Sequence, residues 1–380
     1  MQAIYADHAA TTPVRPEVVD EVIPHMQSGF GNPSSIHQFG REARKTLDQA
    51  RRVIATSIHA NSEEIILTSG GTEANNLAII GYAEANQERG KHIITTQIEH
   101  HAVLHPCEHL EARGFEVTYL SVNEEGIVSL QDLQEAVRED TILVSVMYGN
   151  NETGAMQPVE EIASYLEPLE IAFHTDAVQV YGSVSLDVTS LPVDLLTASA
   201  HKINGPKGAG FLYVGPSVRL EAALKGGEQE RKRRAGTENV PAMAGFAKAV
   251  TLLMEERTER EQTYVQVADA FLKALKENEV AHEVNAERAK RLPHIVNVYF
   301  PGIPVEQLLM NLDLEGVAVS SGSACTAGSI EPSHVLYAMY GQEERIYSSV
   351  RFSFGYQNTE EEAEKIAQVL KKVTERLQAK

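Results

Sequence analysis

The sequence predicts an α/β protein with a large domain on a mostly parallel sheet and a smaller α+β domain. Between about residues 41 and 215, strand-like apolar runs alternate with helix-like stretches, which favours parallel strands joined by crossover helices. One long helix-like stretch, from Val240 to about Asn278, is followed by a strand, a helix, a strand and a final helix. We therefore predict a large domain of residues 15–255 and a small domain of residues 1–14 and 256–380.

The individual elements follow from the spacing of apolar residues, which alternates in strands and follows the helical turn in helices. The predicted strands of the large domain are Glu64–Ser69, His92–Ile98, Glu116–Val122, Thr141–Tyr148, Ile171–Ala177, Asp194–Ala200 and Gly210–Val214. The helices predicted with them are Arg41–Ser57, Thr72–Asn86, Ala102–Arg113, Leu130–Val137 and Glu160–Leu166. The small domain is predicted to contain strands Ile295–Phe300 and Ser349–Phe354, helix Val305–Leu314 and a helix that begins at Glu360.

Composition restricts the classes of function. The chain has 380 residues, 43% of them hydrophobic, so it can bury a large core. Its formal net charge of −20 disfavours binding along nucleic-acid phosphates, and the basic run Arg231–Arg234 is left open as a solvated or a functional loop. No apolar stretch approaches a bilayer span, no signal-peptide pattern is present, and the 2 cysteines suit a reducing compartment. We expect a cytoplasmic protein that binds neither nucleic acid nor membrane.

Lys202 stands at the end of a predicted strand. It follows the apolar run Asp194–Ala200 and precedes a Gly-Pro-Lys-Gly turn, with Ser199 and His201 beside it. Ligands of such sheets bind beyond the carboxyl ends of the strands. An amine that is partly desolvated there loses its proton near neutral pH and can form a Schiff base with an aldehyde cofactor. A surface lysine is the alternative interpretation of this residue taken alone.

Two further motifs at strand ends suit a phosphorylated pyridine ring. Gly71 and Thr72 lie between a strand and a helix, where backbone amides can approach an anion, although a structural turn uses the same residues. Asp176 can hold a ring nitrogen protonated, as a pyridine electron sink requires, and Gln179 can donate to a ring hydroxyl. A helix N-cap is the alternative role for Asp176.

His100 also follows a predicted strand, and its flat imidazole can stack on a planar cofactor and carry protons. Helical spacing places His101, His105 and His109 on one face of the next helix, which is a pattern found in metal sites. The segment lacks the supporting ligands of such a site, and surface histidines are the simpler interpretation. We therefore predict no metal.

Two more candidates lie in the second half of the chain. Cys325 stands among serine, glycine, alanine and threonine residues, which predicts a loop with an exposed, mobile thiol that can act as a nucleophile. Cys107 lies in a helical pattern instead and is predicted to be a packed residue. In Ser349–Phe354, Arg351 faces away from the alternating apolar residues, which is typical of carboxylate capture or of a structural salt bridge.

Over essentially the whole chain, these segments resemble the cysteine desulfurases, which are pyridoxal-phosphate enzymes of the class V aminotransferase family with fold type I. The small residues around Cys325 resemble the NifS/IscS-type group in particular. The matching motifs, in order along the chain, are Asp7-His-Ala-Ala-Thr-Thr-Pro, Gly31-Asn-Pro-Ser-Ser-Ile-His, Thr68-Ser-Gly-Gly-Thr-Glu, Asn150-Asn-Glu-Thr-Gly, Ser199-Ala-His-Lys, Arg234-Ala-Gly-Thr-Glu-Asn and Ser320-Ser-Gly-Ser-Ala-Cys.

The resemblance implies that the chain binds pyridoxal 5'-phosphate through residues of several motifs. Lys202 is implied to bond the cofactor aldehyde, and Asp176 to pair with the ring nitrogen. The other residues implied to contact the ring are Gln179 and Asn151, near the ring hydroxyl, and His100, stacked on the ring face. The residues implied to hold the phosphate are Gly71, Thr72, Ser199, His201 and, from the neighbouring subunit of a homodimer, Thr237.

The resemblance also implies the reaction. L-cysteine is converted to L-alanine, with Lys202 and His100 as catalytic residues and Arg351 and Asn151 as residues that bind the substrate. Cys325 takes the sulfur as a persulfide and passes it to an acceptor protein, such as an iron–sulfur scaffold or a tRNA thiolation enzyme. Selenocysteine lysis uses the same residue types and stays open as an alternative. A protein that chiefly delivers sulfur is disfavoured, because the cofactor residues, Lys202 above all, are present.

Overall fold

The computed structural model describes residues 3–322 and 332–378, and between them only the backbone of Cys325–Thr326 and Ser329–Ile330. The strands are β1 (Ile4–Tyr5), β2 (Ile65–Thr68), β3 (His92–Thr96), β4 (Glu116–Leu120), β5 (Thr141–Ser145), β6 (Ala172–Asp176), β7 (Leu195–Ser199), β8 (Gly210–Val214), β9 (Glu283–Val284), β10 (Ile295–Tyr299), β11 (Val317–Ala318), β12 (Cys325–Thr326), β13 (Ser329–Ile330) and β14 (Ser349–Ser353). The α-helices are α1 (Pro16–Gln27), α2 (Gln38–Ser57), α3 (Gly71–Asn76), α4 (Tyr82–Asn86), α5 (His101–Glu111), α6 (Leu130–Ala136), α7 (Val159–Leu166), α8 (Val240–Glu277), α9 (Val305–Leu314), α10 (His334–Tyr340) and α11 (Glu360–Gln378). Among the described residues, no helix combines the length and the apolar character needed to cross a bilayer.

The large domain is built on a sheet whose seven described strands have the order β2-β8-β7-β6-β5-β3-β4. The pairs β4–β3, β3–β5, β5–β6 and β6–β7 are parallel, which confirms the predicted mostly parallel sheet. Strand β8 runs antiparallel to both of its neighbours. The connection of residues 200–209 carries one 3-10 turn and no crossover helix, so β8 returns beside β7 in the opposite direction.

Separate apolar clusters fill the interiors of the two halves, and the long helix α8 contributes to both. Phe246 and Leu253 pack in the cluster of the large sheet. Phe271 and Leu275 pack in a second cluster with the antiparallel sheet β14-β10-β9. Between these two parts of α8, Met254 is exposed. The predicted boundary after residue 255 falls in this stretch, and the division into two domains stays a prediction.

Two local features differ from the predicted elements. The predicted helix Thr72–Asn86 contains a π-helical segment, Leu77–Gly81, between α3 and α4. Its last residue, Gly81, has no room for a side chain, because an added Cβ would lie 2.7 Å from the carbonyl oxygen of Glu221. The stretch predicted as a loop around Cys325 contains the antiparallel pair β12–β13, in which Cys325 lies opposite Ile330. Thr326 and Ile330 are β-branched and favour extended backbone. The small residues around them led us to predict a loop instead.

The N-terminal segment, residues 6–12, connects the two halves of the molecule. The backbone N–H of His8 donates to the carbonyl of Ser353 at 3.1 Å, and the N–H of Ala9 donates to the Ser353 hydroxyl at 2.8 Å. At its other end, the N–H of Thr12 donates to the carbonyl of His201 at 3.0 Å. The segment therefore lies between β14 and the turn that follows β7.

Candidate active site

A cavity of about 350 Å³ lies at the carboxyl ends of the parallel strands. Most of the predicted site residues line it, and they come from six separate stretches of the chain. These residues are Gly71, Thr72, His100, Asn151, Asp176, Gln179, Ser199, His201, Lys202 and Arg351. Thr237 is exposed and is not among the lining residues, and the side chain of Cys325 lies outside the described residues.

Lys202 lies in the 3-10 turn Ala200–Lys202, directly after β7. Its ammonium group donates to the carbonyl oxygens of Ala9 and, at 3.0 Å, Ala10. Burial, together with the nearby guanidinium of Arg351, lowers the pKa of this amine to about 7, against the opposite effect of the Asp176 and Asp7 carboxylates. The amine is therefore available as a neutral nucleophile or base near neutral pH, as the sequence predicted.

Asp176 ends β6, and its carboxylate is held at both oxygens. The Asn75 side-chain amide donates to one oxygen at 2.7 Å, and the Val178 N–H donates to the other at 2.9 Å. The second bond closes a turn, and no helix begins there, so Asp176 is not the helix N-cap that we considered as its alternative role. The first bond comes from α3 and aims the carboxylate into the cavity. The Gln179 amide lies beside it and donates to the Ala9 carbonyl at 3.0 Å.

The turn between β2 and α3 is shaped by two glycines. Gly70 has a φ of 147°, which L side chains rarely adopt. At Gly71, an added Cβ would lie 2.8 Å from a methyl group of Val178 and 3.8 Å from the Cβ of Ser199. Backbone amides and small side chains thus form this wall of the cavity, and larger residues would fill it.

His201 lies on the same side of the cavity. Its Nδ1 lies 3.2 Å from the Thr11 hydroxyl. Burial, together with the positive charges of Lys202 and Lys207, lowers the pKa of His201 to about 4. The ring is therefore neutral at physiological pH, when it offers one N–H donor and one acceptor.

His100 is the N-cap of α5. Its Nδ1 accepts a hydrogen bond from the Ala102 N–H at 3.0 Å, which leaves Nε2 as the protonated nitrogen of the neutral ring. Burial lowers the pKa of His100. The preceding residue, Glu99, is fully buried and accepts from the Thr96 hydroxyl and the Met147 N–H, both at 2.8 Å. These bonds fix the loop that presents the imidazole.

Arg351 lies in β14, buried to 3% exposure. Its Nη2 donates to the Asp7 carboxylate at 2.7 Å and its Nη1 to the Asn151 carbonyl at 2.9 Å, so the salt bridge expected as an alternative is present. Its Nε–H has no hydrogen-bond acceptor among the described residues. A buried guanidinium with one free donor edge can receive a small carboxylate.

Several residues that shape the cavity were missed from the sequence. Asn75 and Asp7 contact predicted residues, but their partners are more than a hundred positions away, so only the fold reveals them. Glu152 and His334 line the cavity directly. Glu152 belongs to the matched motif Asn150-Asn-Glu-Thr-Gly, and this was the available signal for it.

Two histidines of α5 form ring contacts. His101 stacks on His105 at 5.0 Å between ring centroids and lies 4.8 Å from His334. In the part of the chain that the structure describes, no group of three or more potential ligands could hold a metal ion. Cys107, on the same helix, is fully buried, and burial raises the pKa of its thiol, which agrees with its prediction as a packed residue.

The cavity fits a planar aldehyde that carries an anionic group. Lys202 supplies an amine, Asp176 a fixed carboxylate for a cationic ring nitrogen, and His100 a flat neutral ring. The glycine turn leaves room that a Cβ would occupy. These are the functional groups that the predicted cofactor requires.

Residues 4–366 match the aminotransferase class-V family model. The chain belongs to this family. Among curated relatives, this class-V protein is 56% identical over 379 residues to the putative cysteine desulfurase IscS 1 of Bacillus subtilis (strain 168), covering 98% of this chain and 100% of the relative. It is 46% identical to the cysteine desulfurase IscS of Dictyoglomus turgidum, covering 98% of this chain and 95% of the relative.

Solved structures give the same result. A NifS-like protein superposes on this class-V protein with a TM-score of 0.92 at 34% identity, covering 99% of this chain and 100% of the other. A structure titled SspA in complex with cysteine has a TM-score of 0.83 at 36% identity, with 92% and 98% coverage. The predicted family and fold type are confirmed.

Proposed function

We propose that this class-V protein is a pyridoxal 5'-phosphate-dependent cysteine desulfurase, which converts L-cysteine to L-alanine and retains the sulfur as a persulfide on Cys325. The observation that carries the proposal is that one cavity holds an amine of lowered pKa, Lys202, together with a buried guanidinium, Arg351. The cysteine desulfurase names of similar proteins support the same reaction. The two flanks of the stretch that bears Cys325 also reach this cavity, through Gly322 and His334.

Substrate binding is assigned to Arg351 and Asn151. Arg351 lines the cavity, and its Nε–H has no acceptor among the described residues, so its guanidinium suits the α-carboxylate of an amino acid. Asp7 already pairs with this guanidinium, so the substrate shares a charge that is partly compensated. Binding is therefore expected to be selective for a correctly placed carboxylate and modest in affinity.

The bound cofactor, held by the residues implied for its ring and phosphate, supplies an electron sink beside the substrate α-carbon. Lys202 then acts as the base that removes the α-proton, because its amine is neutral near pH 7. The bonds from Asn75 and Val178 hold the Asp176 carboxylate in place, where it would pair with the protonated ring nitrogen of the cofactor. His100, neutral and held through Nδ1, presents Nε2–H to the cavity as a proton donor.

Sulfur transfer conserves atoms and electrons without an added oxidant. The Cys325 thiolate attacks the substrate sulfur, so an S–S bond forms and the bond between the substrate Cβ and sulfur breaks. The electron pair of the broken bond stays with carbon, which takes up a proton and becomes the methyl group of L-alanine. The enzyme retains Cys325 as a persulfide.

The direct test is to mix purified protein with L-cysteine and measure both products. We expect a yellow protein that forms alanine in step with persulfide, and that releases sulfide when a thiol reductant is added. Without reductant, alanine formation should stop near one equivalent per site. Alanine formation without any protein-bound sulfur would contradict the proposal and indicate a lyase that needs no protein thiol.

The pH dependence of cofactor capture tests the role of Lys202. Its pKa of about 7 means that the amine is protonated below pH 7 and neutral above it, and only the neutral amine is nucleophilic. The rate at which cofactor-free protein captures added pyridoxal phosphate should rise with pH up to about 7 and then level off. An ordinary lysine would continue to gain rate up to about pH 10. Absorbance of the captured cofactor, followed by stopped flow, measures this rate.

A homodimer is part of the proposal because Thr237 is exposed and does not line the cavity of its own chain. A second subunit can bring its Thr237 to the phosphate. Sedimentation should give twice the chain mass at micromolar concentration, and Thr237→Ala should weaken cofactor retention without dissociating the dimer. A monomer that retains cofactor and turns over cysteine would contradict this arrangement.

The sulfur acceptor and the compartment belong to the same proposal. A persulfide carrier requires a partner thiol or scaffold, and an iron–sulfur scaffold or a tRNA thiolation enzyme has the chemistry to receive it. The two cysteines of the chain suit the reducing cytoplasm, where we place the reaction. Labelling the persulfide with radioactive cysteine and following the label into cellular proteins identifies the acceptor.

A further inference from the structure

Glu152 is a buried carboxyl group that the reaction steps above do not use. Glu152 is 2% exposed and lines the cavity. Its carboxyl group forms no ion pair with a lysine or arginine of the described chain. Burial raises its pKa, although the Ser333 hydroxyl bond and the positive charge of Arg351 act in the opposite direction. Burying a carboxyl group without a cation is unfavourable, so its hydrogen bonds must offset part of that cost.

Two of these contacts lie on opposite sides of Cys325 in the sequence. The Ser333 hydroxyl donates to Oε2 of Glu152 at 2.5 Å, and the same hydroxyl accepts from the Leu336 N–H at 3.1 Å, which caps α10. On the other side, Gly322 lies directly against the carboxyl group, with a φ of 90°. An added Cβ at Gly322 would lie 2.7 Å from Oε2 of Glu152. The positive φ and this short distance both favour glycine at position 322.

The same part of the chain also holds the arginine assigned to the substrate carboxylate. Arg351 donates through Nη1 to the carbonyl of Asn151, the residue before Glu152. Its backbone N–H donates to the carbonyl of Ser320, two residues before Gly322, at 2.7 Å. The Asn297 amide donates to the carbonyl of Glu152 at 3.1 Å and completes the attachment to β10. Two consecutive residues, Asn151 and Glu152, therefore bond Arg351 and Ser333, and Glu152 also packs against Gly322.

We propose that Glu152 is a positioning residue for sulfur transfer, which holds Ser333 by a hydrogen bond and packs against Gly322 at the cavity wall. The inference rests on the proposed function. Glu152 acts through these two residues, which flank the stretch that bears Cys325, and not on the substrate. Its removal should therefore slow the transfer of sulfur to Cys325 and leave cysteine binding intact.

The test uses the cofactor-loaded enzyme and two variants that break the same contact from opposite ends, Glu152→Met, which has no oxygen to accept the Ser333 hydrogen bond, and Ser333→Ala, with their double variant. Ser129→Ala is the matched control, because Ser129 caps the seven-residue helix α6 as Ser333 caps the seven-residue helix α10. Three quantities are measured in a single turnover: the absorbance change on mixing with cysteine, the rate at which one extra sulfur appears on the Cys325 peptide, and the thermal midpoint.

Both single variants should bind cofactor and cysteine as the wild type does, yet load Cys325 about tenfold to a hundredfold more slowly. The double variant should be no slower than the slower single variant, because both changes remove one contact. Ser129→Ala should lose similar thermal stability but load sulfur at the normal rate.

Two outcomes would overturn the inference. Normal loading in Glu152→Met and Ser333→Ala would show that the contact positions nothing. Loss in Glu152→Met together with normal loading in Ser333→Ala would show that Glu152 does not act through its contact with Ser333. Failure of the wild type to load Cys325 at all is a distinct result, and it would contradict the proposed function instead.

Discussion

Replacement of Lys202 by alanine should abolish conversion of cysteine to alanine, with a loss of about 10²–10⁴-fold from proton transfer alone. The physical reason is that this side chain supplies both the amine that captures the cofactor and the neutral base beside it. Burial and Arg351 lower its pKa to about 7, and no other lysine lines the cavity in the described chain. The variant should also lose the absorbance of the covalently bound cofactor.

Lys207→Ala is the matched control for this prediction. Lys207 lies five residues further along the same connection, is exposed and does not line the cavity. It should keep the colour and the activity of the wild type. The Lys202→Ala protein should still retain cofactor non-covalently, because the glycine turn at Gly71 is unchanged. A fully active Lys202→Ala protein would rule out the assignment.

Replacement of Cys325 by serine should lower alanine and sulfide production by several orders of magnitude while the protein stays yellow. A hydroxyl group is a far weaker nucleophile than a thiolate at neutral pH, so the bond to the substrate sulfur does not form. Cysteine should still change the absorbance of the variant, because Lys202 and Arg351 are intact. Mass spectrometry of the wild type should find one extra sulfur on the peptide that contains Cys325.

Cys107→Ser is the comparison variant, since Cys107 is fully buried in α5 and burial raises the pKa of its thiol. It should turn over cysteine at a nearly normal rate and lose about 1–3 kcal/mol of stability from the buried hydroxyl. The extra sulfur on Cys107, or full activity of Cys325→Ser, would require a different sulfur acceptor within the protein.

The predicted site residues were found from sequence because most of them occur at the ends of strands. Lys202, Asp176 and His100 each follow a buried strand, and parallel strands place their carboxyl ends on one edge. The pattern of apolar residues is therefore enough to bring such residues together. The family resemblance added their roles, which the spacing alone left open between cofactor contacts and ordinary turns or caps.

The partners of these residues could not be found in the same way. Asn75 orients Asp176, and Asp7 pairs with Arg351, yet both contacts join segments that no local pattern relates. The antiparallel return of β8 was likewise missed, because it depends on the absence of a crossover helix in residues 200–209. Glu152 was missed since a carboxyl group in a turn motif usually faces water, whereas here it is buried.

The N-terminal segment has a consequence for how the protein is made. Asp7 and Ala9 bind Arg351 and Ser353, in each case across 344 positions of the chain. During synthesis the first of these residues leaves the ribosome long before its partners exist. The cavity therefore cannot close until nearly the whole chain has been translated, and contacts of such long sequence separation form slowly. Nascent chains that stop before β14 lack Arg351 and Ser353, so they should not bind cysteine, even when pyridoxal phosphate is abundant.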